Sequence, residues 1–106
     1  MSLPKTSESF PFDNETLVFK VQDKMFALVN INQATFINLK CNPEYAVELR
    51  EQFHGIQPGY HMSKIHWNSV ALNEDVSREK IEALILHSYQ EVIKKLPKAK
   101  RDECQI

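Results

Sequence analysis

Two runs of alternating side chains, separated by three polar residues, constrain this chain more than any other feature. Leu17, Phe19 and Val21 alternate with Thr16, Val18 and Lys20, and Met25 to Ile31 repeats the pattern with Phe26 and Leu28 on one face. A period of two is the signature of a strand. The short link Gln22-Asp23-Lys24 makes the pair a hairpin, so the sheet is antiparallel there. The link lacks the usual glycine, and Asp23 is therefore expected to take a positive φ angle. A third strand is expected over Phe36 to Lys40, after a loop at Asn32 to Thr35.

Helix signals follow the strands. Asn42-Pro43 joins a strong N-cap to a proline at the first helical position, where no hydrogen bond is lost. The helix should run to about Phe53 and stop at Gly55, with Ala46, Leu49 and Phe53 buried. Glu44, Glu48 and Glu51 share another face, which reads as a solvated surface rather than a ligand set. A second helix starts at the Ser77 cap, with Val76 and Ile81 as its hydrophobic staple. Ile81, Leu84, Ile85, Ser88, Tyr89, Val92 and Leu96 recur at helical spacing, and Pro97 limits the end. Leu84, Ile85 and Val92 are expected inside, Glu82 and Glu91 outside. Strands followed by helices argue α+β.

The stretch from Gly55 to Leu72 gathers the unusual residues. Both glycines, the only tryptophan and two of the four histidines (His61 and His66) fall inside it, and His54 directly precedes it. No acid lies between Glu51 and Glu74, although the net charge of the chain is −1. Two short strands are expected, near Gln57 to Met62 and Asn68 to Leu72, around a tight turn at Ser63 to His66. Tyr60 and Trp67 have two readings. They are core aromatics, the default for large rings, or they expose an edge beside His61, Lys64 and His66. Rings interleaved with cations suit nucleic acid, where bases stack and cations meet phosphates.

Other chemistry is sparse. Two glycines in 106 residues exclude a glycine-rich phosphate loop, and CxxC and HExxH are absent. His61 and His66 lack nearby residues to complete a metal site. Cys41 paired with a histidine would need contact in space to act as a nucleophile. Glu74-Asp75 reads as a solvated turn. The acidic residues Glu74 to Glu82 and the basic cluster Lys94 to Arg101 match the dipole of the helix between them, a reading preferred to a dedicated anion-binding tail. With no leader visible, the two cysteines are expected as reduced thiols, and Asn14-Glu15-Thr16 as a chance sequon. No apolar run approaches the length of a membrane span.

These residues also carry a resemblance. Phe10-Pro-Phe-Asp13, Thr16-Leu-Val-Phe-Lys-Val21, Lys24-Met-Phe-Ala-Leu28 and Asn38-Leu-Lys-Cys41 come first. Pro58-Gly-Tyr-His-Met62, His66-Trp-Asn68 and the Ser88-Tyr89 helix ending at Leu96-Pro97 follow in the same order. Over roughly residues 3 to 98 the chain resembles the MmcQ/YjbR family of small bacterial proteins. The resemblance implies a CyaY-like fold, that of the bacterial frataxin homologue, and a "double-wing" DNA-binding role. The acidic iron-binding ridge of frataxin-like folds has no counterpart here, and a shared fold does not transfer a site. Relatives usually carry a helix before the position of Leu3-Pro4. This sequence begins almost at that point, so the expectation is either a further helix in the full gene product or its absence, and absence would bare apolar surface and invite a homo-oligomer. Met1-Ser2-Leu3 reads either as native or as a cloning remnant.

The expectation is a single cytoplasmic α+β domain over residues 1–106. It has a mainly antiparallel sheet of about five strands with helices packed on one face, an extended lead-in at 1–15 and a polar basic tail at 98–106. It has no enzyme active site, no cofactor, no metal and no membrane partner. DNA is the expected ligand, contacted by Lys40, His61, Lys64, His66 and Asn68, with Trp67 as platform or support. A protein partner on the 54–68 loop surface is the alternative, and a metal-binding or enzymatic role the third.

Overall fold

The computed structural model describes residues 3–60 and 62–104. Six strands form one antiparallel sheet: β1 (Thr6–Ser9), β2 (Thr16–Val21), β3 (Lys24–Asn30), β4 (Phe36–Lys40), β5 (Ile56–Pro58) and β6 (Trp67–Ala71). Their spatial order is β1-β2-β3-β4-β6-β5. Three helices complete the α+β fold: α1 (Pro43–Gln52), α2 (Arg78–Ile93) and the short α3 (Lys98–Asp102). The sixth strand, β1, comes from the segment that reads in sequence as a lead-in. Its TSES sequence has no apolar alternation, so only pairing with β2 makes it a strand.

Local chemistry shapes the first hairpin. Val21 pairs with Lys24, and both intervening residues, Gln22 and Asp23, take positive φ angles of 48° and 66°. Positive φ at both central positions is the turn geometry that matches strand twist. Past the turn, Lys20 pairs with Met25 but Phe19 pairs with Ala27. Phe26 is therefore the extra residue of a β-bulge. The bulge sends both Phe26 and Ala27 into the helix-side core, while Leu28 joins Val18 and Trp67 on the other face. Phe26 and Leu28 thus do not share a face, contrary to their spacing.

Both helices start where their caps require. Asn42 Oδ1 accepts from the backbone N–H groups of Glu44 and Tyr45, and Ser77 Oγ accepts from that of Lys80. Helix α1 ends at Phe53, which is extended; neither glycine has a positive φ. The glycines serve close approach instead. A Cβ on Gly55 would lie 2.8 Å from an Asp75 carboxylate oxygen, and one on Gly59 would lie 2.7 Å from Trp67 Cβ. Asp75 accepts from the N–H groups of Gly55 and His54, both at 2.7 Å, so it pins the α1–β5 corner. Those bonds hold its carboxyl below the usual range.

Helices α1 and α2 cover one face of the sheet. Ala46, Leu49, Leu84, Tyr89 and Val92 pack there with Phe26 and Leu39. Ile85 is only half-buried. Glu91, expected outside, leaves 13% of its side chain exposed and pairs with Lys94 Nζ at 2.8 Å. Regular helix stops at Ile93, and the Lys94–Leu96 turn leads into α3. The polar tail therefore folds back, and Cys104 is buried in the core beside Tyr89. Tyr89 Oη donates to the Pro4 carbonyl at 2.6 Å, tying both ends of the chain to the core.

Candidate functional site

The uncovered face of the sheet is where the register brings distant residues together. Ser9, Val18, Leu28, Asn38, Ser69 and Gln57 fall in one row across all six strands. Alternation puts Thr16, Lys20, Phe36 and Lys40 on the same face. Lys40 is paired directly with Trp67, and Lys20 with Met25. No helix lies over this face among the described residues.

A cleft of about 460 Å³ opens on it. Met25, Leu28, Val29, Asn38 and Met62 line it. Two loops supply the walls. One is the β1–β2 loop, whose Phe12 ring is 65% exposed; the other follows β5 and presents Tyr60, 60% exposed. These walls are the Phe10-Pro-Phe-Asp13 and Pro58-Gly-Tyr segments, 48 positions apart from Phe12 to Tyr60 in sequence. Phe36 meets the Tyr60 ring edge-on at 5.9 Å between centroids.

Each wall is fixed by hydrogen bonds. Asp13 accepts from the N–H groups of Glu15 and Thr16 at 2.9 and 2.7 Å, which hold its carboxyl below the usual range. On the other side, Asn38 and Ser69 are buried and joined. Ser69 Oγ donates to Asn38 Oδ1 and accepts from Tyr60 N–H at 2.9 Å, while Asn38 Nδ2 donates to the Tyr60 carbonyl at 3.3 Å. The pair clamps the Tyr60 backbone onto the sheet. A volume of about 300–1,000 Å³ is typical of a ligand site, and Asp13, Thr16, Asn30, Gln33 and Asn38 line this one beside its apolar residues.

The residues singled out in the sequence divide. Trp67 is buried against Val18, Leu28 and Met62, so it supports the face instead of stacking on a ligand. Asn68 is 2% exposed and leaves the contact set. Neighbours on a strand point to opposite faces, so Asn68 lies on the helix side. There its Oδ1 accepts from Arg50 Nε at 2.7 Å and its Nδ2 donates to the Ala46 carbonyl at 3.3 Å. Lys64 is exposed and His66 half-buried, both in the turn closed by Trp67 N–H to the Ser63 carbonyl at 3.0 Å. Lys40 is half-buried at the end of β4, where its backbone N–H donates to Ser88 Oγ of α2 at 2.9 Å. Burial lowers its pKa first, and repulsion by Lys95 and Lys24 adds to this against the pull of Glu91. His61 lies outside the described residues.

Sequence reasoning missed Arg50. It reaches from α1 to the Lys64 and Trp67 carbonyls as well as to Asn68, bracing the turn before β6. Its signal was present: it is the single cation in a helix that otherwise carries Glu44, Glu48 and Glu51. Phe12 was also missed, although a ring in a Pro-containing loop has no alternating run to bury it. Burial, aided by Glu91, pushes the Cys41 thiol up to about 11. It stays protonated at neutral pH, unlike a reactive thiolate. Among the described residues, no three His, Cys, Asp or Glu side chains are grouped to hold a metal ion. Among them too, no helix is long and apolar enough to cross a membrane.

A family model described as YjbR matches residues 1–91. The uncharacterised protein YbdF of Escherichia coli O157:H7 is 36% identical over 107 residues, spanning 100% of this chain and 86% of that protein. The uncharacterised protein YjbR of Escherichia coli K12 is 33% identical over 102 residues, 95% of this chain and 86% of its own. The crystal structure of Deinococcus radiodurans protein DR2400, described as a DUF419 domain, superposes with a TM-score of 0.90 at 43% identity. That match covers 97% of this chain and 80% of the other. A Pseudomonas syringae protein of known structure is similar at a TM-score of 0.68 and 34% identity, covering 81% and 86%.

Proposed function

The chain belongs to the YjbR family, and we propose that it acts as a non-enzymatic binding protein for nucleic acid through the open face of its sheet. One observation carries this reading. The face left free by the helices holds exposed rings, Phe12 and Tyr60, on the same surface as Lys20 and Lys40. An open sheet with rings for bases and cations for phosphates is a recurrent way to hold nucleic acid. The charge is polarised along the strands. Asp13 sits at the Thr16–Phe36 end, and Lys20 and Lys40 project at the other. A phosphate near Lys40 would also relieve its repulsion from Lys24 and Lys95.

The contact set therefore moves from the one read in sequence. Lys40 and Lys64 stay as phosphate contacts, Lys20 joins them, Tyr60 and Phe12 replace Trp67 as ring contacts, and Asn68, on the helix side, drops out. Fluorescence anisotropy with labelled duplex and single-stranded DNA at two salt concentrations tests the reading. Saturable binding at low salt should weaken steeply with added salt through counterion release. Lys20→Ala and Lys40→Ala should weaken all sequences alike, since phosphate contacts carry little base information. Absence of saturable binding at low salt would favour the second reading, a protein partner or second copy of the chain covering Phe12, Tyr60 and the exposed Ile65.

A further inference from the structure

We infer that the cleft takes a small quaternary ammonium compound of the choline type, its methylated head held among the Phe12, Phe36 and Tyr60 rings and faced by the Asp13 carboxylate. The inference goes beyond the nucleic-acid reading and does not rest on it, although the two occupants would compete for the same rings. All three rings line one cleft of about 460 Å³. Phe12 and Tyr60 are largely exposed, and the planes of Phe36 and Tyr60 stand at 83° to each other, which makes a corner. The face of an aromatic ring is its negative side. A cation placed over such faces is attracted, and a cage of several rings is the usual seat of a quaternary ammonium head.

Charge narrows the choice of ligand. Among the described residues, Asp13 is the one charged side chain lining the cleft, and no lysine or arginine pairs with it. The backbone N–H groups of Glu15 and Thr16 favour its ionised form. An anion would meet this charge with no cation in the lining to answer it. A bare metal ion would find no second acid there. A primary ammonium brings three N–H donors that each need an acceptor. Three side-chain oxygens of the lining are already engaged. Asp13 Oδ1 accepts from Glu15 and Thr16 N–H, Asn30 Oδ1 from Asn32 and Gln33 N–H, and Asn38 Oδ1 from Ser69 Oγ. A quaternary head has no N–H to satisfy, and its methyl groups suit the thioethers of Met25 and Met62.

The test titrates the full chain with choline, with its neutral isostere in which carbon replaces the charged nitrogen, and with a trimethyllysine peptide, read by calorimetry. Choline should bind saturably, and more tightly than the isostere by at least about 10-fold. Tyr60→Ala should weaken choline roughly 2- to 30-fold, the range of one cation–π contact. Asp13→Asn keeps an oxygen for the Glu15 and Thr16 N–H groups and removes only the charge. It should weaken choline by a similar factor and leave the isostere unaffected. The isostere arm needs no variant, so a misfolded variant leaves the test intact. No saturable binding of choline, or equal binding of choline and the isostere, overturns the inference. Choline affinity unchanged in both variants overturns the site. Binding of the trimethyllysine peptide without binding of choline overturns the small-molecule ligand. Oligonucleotide binding is measured apart from these titrations, so either reading can fail alone.

Discussion

The two faces of this sheet are built from the same strands but answer to different demands. On the helix side, Phe26, Ala27, Leu39 and Val70 lie under α1 and α2 with almost no exposed surface. On the open side, a small cluster of Val18, Leu28 and Trp67 anchors the sheet, and large rings stand in solvent around a cleft. On the reading proposed above, one face carries stability and the other recognition, and each prediction below tries to break that division.

The largest effect should come from one residue type placed on both sides. Phe26→Ala on the helix side should cost about 3–5 kcal/mol, the range for emptying a buried aromatic site. Phe12→Ala at the cleft should change stability by no more than about 0.5 kcal/mol, as for surface substitutions, and weaken oligonucleotide binding instead. Urea denaturation of the two variants makes the comparison. Similar losses in both would mean the open face is a second core.

Next in size is the brace between the faces. Arg50→Ala removes the bonds to Asn68, Lys64 and Trp67, leaving a buried Asn68 oxygen without its partner. A cost of about 1–3 kcal/mol is expected. Arg50→Lys should recover little of it, because a lysine cannot reproduce the guanidinium fork. Full recovery by lysine would show that charge alone holds the turn.

The smallest effect is on pH dependence, and it belongs to the helix side alone. His87 Nε2 accepts from Asn42 N–H at 3.2 Å, at the start of α1, with the Tyr45 ring edge-on at 5.1 Å. Burial lowers its pKa from 6.5, opposed by Glu91 and reinforced by Lys94. The folded state thus resists a proton that the unfolded chain accepts. Stability is fully present above about pH 6.5 and falls as pH drops below it. His87→Gln, which keeps an acceptor without titrating, should flatten that fall in thermal unfolding measured from about pH 7 to 5. An unchanged slope would move the titration to another group.

How much of this was legible in the sequence follows the range of the forces involved. The caps at Asn42 and Ser77, the positive φ at Asp23 and the burial of Leu84, Ser88, Tyr89 and Val92 in α2 are local, and they read correctly, whereas Ile85 and Glu91 at the margins of that stripe did not. The bulge at Phe26 did not, because an extra apolar residue leaves an apolar run that still looks like alternation. Strand β1 and the burial of Cys104 depend on partners far along the chain, Val21 and Tyr89, which spacing does not reveal. The acid-free 55–72 stretch contributes Tyr60 to a wall of the cleft. Its members divide because Trp67 and Asn68 are strand neighbours and point to opposite faces. The Phe12 wall needed the fold itself, and Arg50, the single cation of α1, lies outside that stretch.

The division of labour between the faces is tested most directly by amide chemical-shift mapping of the labelled protein during titration with single-stranded DNA at low salt. The account predicts that shifts concentrate on Thr16, Leu28, Asn38, Tyr60 and Ser69, with Ala46, Leu84 and Val92 on the helix side unmoved. Shifts centred on α1 or α2, with the open face silent, would contradict it.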